Sequence, residues 1–248
     1  MPFQLNSMRH PFYHRTMRQG IRQVVPGPGC RGAETMIRAN HEAGCSLVRL
    51  SRPERANALT ATMLADLTVA VSGAVAAGSK VLILTGEGKV FSAGADLEEM
   101  KSGLGVNPDW EILSAAIAAF PGLTIAALNG TLAGGATGMV LACDLRIAVP
   151  SAQFFYPVLR LGHLPQPSDP ARLAALVGPA RARMFLLAGQ RIGADEALAW
   201  GLIDRIAAPD ALMDSAMALA TDAMAADAAH LAALKRMTTG PAAPGLTG

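Results

Sequence analysis

The sequence predicts an α/β domain with parallel strands and helices packed on the sheet. Two observations lead to this. Short, continuous apolar runs alternate with stretches of helical periodicity. Two glycine-rich turns each lie between such a run and a helix. Composition agrees, because 51% of the 248 residues are hydrophobic and only 16% are charged, which supports a buried core and argues against a disordered chain.

Taken in order, residues 35–40 and 45–50 are apolar-rich runs around a Gly-containing turn, and they read as a β-hairpin ended by Arg52-Pro53. Thr60 is a candidate N-cap for a helix carrying Met63, Leu64, Leu67, Val71 and Val75, which Gly78 ends. The run VLILTG at 81–86 is read as a buried strand and residues 87–96 as a Gly-rich loop. A helix over 110–120 ends at Pro121-Gly122. A second strand covers 123–128, a helix follows Gly134-Gly135 through Cys143, and a third strand covers 145–149. A Pro-rich loop (Pro157, Pro165, Pro167, Pro170) precedes helices at 179–188 and 194–200. A short strand at 202–206 and helices at 211–226 and 228–237 complete the folded part.

Residues 1–34 form a separate segment. Residues 1–38 hold six Arg and one Glu, net +5, which leaves −3 of the chain's +2 for the remainder. This segment is expected to be a basic, disordered extension, although the same composition suits an arm for a membrane surface, RNA or organelle targeting. The expected organisation is a core over 35–190, a helical region over 191–240 and a flexible tail over 241–248. The near-balance of charge argues against a nucleic-acid binder. Three cysteines without ligand spacing offer neither a disulfide scaffold nor a metal site, and a cytoplasmic setting is expected. No run is long enough for a membrane span and no signal peptide is visible, so no membrane partner is expected.

Each glycine-rich turn, Val90 to Leu97 and Asn129 to Gly138, follows a buried strand and precedes a helix. Small residues let a ligand approach the backbone, and helix starts present free N–H groups. Two such turns side by side would aim two donors at one oxygen, as in an oxyanion hole. Neither turn fits the dinucleotide or P-loop pattern.

Together these turns and their flanks resemble the crotonase (enoyl-CoA hydratase/isomerase) family. The matching stretches are Arg52-Pro-Glu-Arg-Ala-Asn-Ala-Leu59, Leu82-Ile-Leu-Thr-Gly86, Phe91-Ser-Ala-Gly-Ala-Asp96, Leu128-Asn-Gly130 with Gly134-Gly135, and Cys143-Asp-Leu-Arg-Ile-Ala148. Ala152-Gln-Phe154, Val177-Gly-Pro-Ala-Arg-Ala182 and Ala194 to Asp204 continue the match. The resemblance implies a spiral of ββα units with a C-terminal helical trimerisation region. It also implies an acyl-CoA ligand, a homotrimer or hexamer, and no cofactor beyond the CoA of the substrate. It places the oxyanion N–H groups on Ala95 and Gly135. It places CoA contacts on Arg55, Ala56, Ala58, Ala93, Asp96 and Leu97, with Asn57 in the same loop.

The sequence departs from the family where hydratases carry two glutamates. Those positions hold Gly138 and Val158, and neither residue transfers protons. Candidate replacements lie in the wall segment: His163, whose imidazole can give or take a proton, and Asp169, with Gln166 and Tyr156 nearby. Asp144 reads as a turn anchor. The resulting expectation is an acyl-CoA lyase or isomerase that is not a standard hydratase. The alternatives are a non-catalytic acyl-CoA-binding or accessory subunit, and a hydratase with a relocated carboxylate from Asp169 or Glu98. A related peptidase would need a nucleophile turn that no serine here supplies.

Overall fold

The computed structural model describes residues 35–239. The expected basic extension and flexible tail lie outside the described residues.

The hairpin consists of β1 (Ile37–Glu42) and β2 (Cys45–Leu50), joined by Ala43 and Gly44 at φ 49° and 80°. Positive φ at both positions matches the twist of a two-residue hairpin turn. Helix α1 (Ala61–Ala76) begins at Thr60, whose hydroxyl accepts from Met63 N–H at 3.1 Å. Three repeats of one pattern follow. Strands β3 (Val81–Gly86) and β4 (Val90–Ser92) lead to α2 (Leu97–Met100) and α3 (Asp109–Ala118). Strands β5 (Leu123–Leu128) and β6 (Thr131–Ala133) lead to α4 (Thr137–Leu141). Strands β7 (Leu145–Ala148) and β8 (Gln153–Phe155) lead to α5 (Val158–Leu161) and α6 (Asp169–Val177). The described residues continue with α7 (Pro179–Leu186), β9 (Ile192–Gly193), α8 (Ala194–Trp200), β10 (Arg205–Ile206), α9 (Leu212–Ala225) and α10 (Ala228–Thr239).

The first strand of each repeat enters a six-stranded sheet, ordered β1-β2-β3-β5-β7-β10 and parallel except for β1. The second strand of each repeat enters a four-stranded sheet, β4-β6-β8-β9, in which only β9 runs antiparallel. This is a ββα spiral. Helix α9 packs on β3, β5 and β7 of the same chain, and α1 packs on α3. The corners between the two sheets are tight. A Cβ on Gly130, between β5 and β6, would lie 2.0 Å from the Lys89 carbonyl oxygen. Backbone cannot yield there, so Gly130→Ala is expected to destabilise by about 3 kcal/mol, lowering Tm by about 6–12 °C in a thermal melt.

Several expected elements change. The strands of the second sheet do not show in the residue pattern, because they are two or three residues long. The helix expected from Gly134 through Cys143 is a 3-10 turn (Gly134–Ala136) followed by the short α4. The Pro-rich loop contains α5 and α6. Pro170 occupies the first turn of α6, where no intrahelical N–H is needed. The strand expected at 202–206 shortens to β10.

Candidate functional site

The first turn is held by the loop that precedes α1. Ala93 N–H donates to Ala56 O at 2.9 Å, Leu59 N–H to Gly94 O at 2.7 Å, and Asp96 N–H to Leu59 O at 2.8 Å. Leu59 thus bonds to both neighbours of Ala95, which is a parallel bridge. In that pattern the N–H of Ala95 itself points away from Leu59. Asp96 accepts from Glu98 N–H at 3.0 Å and receives Arg52 Nη1 at 2.7 Å. The Arg52 hydrogen bond holds the Asp96 carboxyl below the usual carboxylate range. Asp96 therefore caps α2 and fixes the turn. Ala56, Ala58, Ala93 and Asp96 line one seam, with Arg55 and Leu97 exposed at its ends.

The second turn lies against the first. Gly94 has φ +95°, and a Cβ there would lie 2.9 Å from Ala133 O and 3.1 Å from Gly134 Cα. Gly134 has φ +56°, and its Cβ would lie 3.4 Å from Gly94 Cα. The turns touch through bare α-carbons, a contact and a backbone conformation that favour glycine. Ala95 and Gly135 are the next residue of each turn. Gly135 is the second residue of the 3-10 turn before α4, where a helix N–H has no intrahelical acceptor. Trp110 packs on Gly135, with its Cη2 3.1 Å from where a Cβ would stand.

A carboxyl group stands at Gly138. Asp169, the first residue of α6, is 1% exposed. A Cβ on Gly138 would lie 2.6 Å from its Oδ1 and 3.1 Å from its Oδ2. The Tyr156 hydroxyl donates to Oδ2 at 3.0 Å, while Oδ1 has no hydrogen-bond partner among the described residues. Burial pushes the Asp169 carboxyl up to about 6, and the nearby Glu111 adds to the rise. The Tyr156 hydrogen bond and Arg172 oppose it. Burial, followed by the charge of Asp169, also raises Tyr156 above the usual phenol range.

Of the candidate replacements for the two departed positions, the structure brings Asp169 of α6 against Gly138. The other place stays apolar, since Val158 is buried at the start of α5. His163 is exposed after α5, so it is not brought to Gly138. Gln166 donates to Gly105 O at 3.2 Å. Glu98 pairs with Lys101 on the surface, and Glu99 accepts from Ala61 N–H. Asp144 accepts from Thr124 N–H and Lys235, consistent with an anchor. Tyr156, named from the sequence only as a neighbour of the wall segment, is the residue that holds Asp169. Among the described residues, no His, Cys, Asp and Glu cluster is suited to a metal, and no helix is long and apolar enough to cross a membrane.

Residues 40–245 match the enoyl-CoA hydratase/isomerase family. The chain is 38% identical over 178 residues to the probable enoyl-CoA hydratase echA6 of Mycobacterium leprae, covering 70% of this chain and 72% of that protein. It is 35% identical over 184 residues to 4-chlorobenzoyl coenzyme A dehalogenase-2 of an Arthrobacter species, covering 68% of this chain and 65% of that protein. The fold matches the crystal structure of an enoyl-CoA hydratase from Bacillus anthracis with a TM-score of 0.76 and 29% identity. That match covers 83% of each chain.

Proposed function

The chain belongs to the enoyl-CoA hydratase/isomerase family, and on that premise we propose that it moves a proton at the carbon next to an acyl-CoA thioester, as an isomerase does. The observation that carries this reading is the buried Asp169 carboxyl against Gly138, with one oxygen held by Tyr156 and the other without a hydrogen-bond partner among the described residues.

The thioester oxygen would sit between the N–H groups of Ala95 and Gly135. Asp169 Oδ1 takes the α-proton, and the C–H electron pair forms the C1=C2 bond as the carbonyl pair moves onto the thioester oxygen, giving an enolate. Return of the proton to the γ carbon shifts a 3,4 double bond to 2,3 with no net gain or loss of atoms. Each N–H donor contributes about 3–4 kcal/mol to the charged transition state. A carboxyl near pKa 6 is ionised at neutral pH yet is a stronger base than an ordinary aspartate. Hydration also needs a group to deliver water, and Val158 leaves that place without one. The seam at Ala56, Ala58, Ala93 and Asp96, flanked by Arg55 and Leu97, would take the CoA. We infer a homotrimer or hexamer, to which the exposed Leu159, Leu161 and Leu187 offer apolar surface.

Incubation with a 3-enoyl-CoA, followed by ultraviolet absorbance of the conjugated product, tests the reading. Conversion is expected, with a rate that rises as pH passes through about 6. Crotonyl-CoA absorbance is expected to persist. Rapid hydration of crotonyl-CoA, or tight thioester binding with no conversion, would overturn it.

A further inference from the structure

Two successive residues at the start of α3 reach the two halves of the site. Trp110 packs on Gly135, and its Nε1 donates to Leu104 O at 2.8 Å. Glu111 Oε2 accepts from the N–H of Ser168 at 3.3 Å. Ser168 immediately precedes Asp169 and is the N-cap of α6. A second tie lies beside it, where Gln166 Nε2 donates to Gly105 O while Gln166 O accepts from Asp169 N–H at 3.0 Å. The segment carrying Asp169 is therefore strapped at two points to the segment carrying Trp110.

We propose that Glu111 is a positioning residue: its carboxylate clamps the first turn of α6 to α3 and so keeps the Asp169 carboxyl seated against Gly138. The inference rests on Asp169 being the group that handles the proton. A carboxylate at a helix start gains from the local backbone dipoles. A second carboxyl nearby disfavours the charged form of Asp169, and Glu111 contributes to its raised pKa. The other groups around Asp169 are Tyr156, from the segment after β8, and Arg172 on its own helix. Helix α4, which packs on α6, carries no ionisable side chain, and Arg181 and Arg183 of α7 are exposed.

Two variants of the full chain separate clamp from charge. Glu111→Gln keeps an acceptor for Ser168 and removes the charge, whereas Glu111→Ala removes both. The readouts are the Asp169 carboxyl titration, followed by carbon-13 NMR and assigned with Asp169→Asn, and the split between kcat and KM. In Glu111→Gln the Asp169 midpoint is expected to fall by at least ~0.5 pH unit. In Glu111→Ala, kcat is expected to fall about 10- to 100-fold, with KM nearly unchanged. A wild-type midpoint in Glu111→Gln, or a wild-type kcat in Glu111→Ala, would overturn the proposal. The titration needs no turnover. If the midpoint shifts while Asp169→Asn stays fully active, the isomerase reading fails and the Glu111–Asp169 coupling stands.

Discussion

Asp169→Asn is expected to remove about 10²- to 10⁴-fold of turnover and at the same time to make the protein more stable at pH 8. The two effects have one cause. The folded chain holds the Asp169 proton up to about pH 6, whereas an ordinary aspartate releases it near 3.8. Between those values the folded state binds more protons than the unfolded state, so stability falls as pH rises. Above pH 6 the wild-type protein carries the full penalty of a buried carboxylate, on the order of 2–3 kcal/mol. Asparagine has no such charge and still offers an acceptor to the Tyr156 hydroxyl. Thermal melts should place the variant about 5 °C above wild type at pH 8 and closer to it below pH 5. A variant that is destabilised at pH 8, or that keeps wild-type turnover, would contradict this. A residue whose removal stabilises the fold and silences the reaction is held there for function.

Gly94→Ala should have the second largest effect. Its Cβ would meet the Ala133 carbonyl at 2.9 Å and Gly134 Cα at 3.1 Å, and its φ of +95° already disfavours any side chain. The two turns must then separate, and two donors that no longer converge cannot share one oxygen. Loss of such a donor costs about 10²- to 10³-fold in kcat. Gly103→Ala is the control, because Gly103 has φ +94° with no atom of the described residues within 4 Å of its Cβ. Both variants should lose about 1–2 kcal/mol to backbone strain, but only Gly94→Ala should lose turnover per folded molecule. Equal turnover in the two would argue against paired donors.

The legibility of the fold followed element length. The six-residue strands β3 and β5 read from their continuous apolar runs, and α1 read from its spacing and its Thr60 cap. The three-residue strands β4, β6 and β8 have no period to detect, so the second sheet followed only from the family resemblance. Helix α6 was hidden by prolines that sit before it or in its first turn, where they do not break a helix. Gly138 and Val158 were legible as departures and Asp169 as one of several candidate replacements, but which candidate lies against Gly138 was not legible. Asp169 and Gly138 meet because α6 packs on α4, a tertiary contact with no local signal. His163 was attractive for its chemistry, yet the turn after α5, with Gly162 at φ +70°, leaves it exposed. Six residues later, the first turn of α6 buries Asp169.

Hydrogen–deuterium exchange at the α carbon of a saturated acyl-CoA, such as butyryl-CoA in heavy water followed by proton NMR, separates proton removal from every later step. Wild-type protein should exchange that position, and Asp169→Asn, at matched thioester occupancy, should do so at least ~100-fold more slowly. Equal exchange by the two proteins, or none by wild type with the thioester bound, would contradict Asp169 as the base facing paired amides.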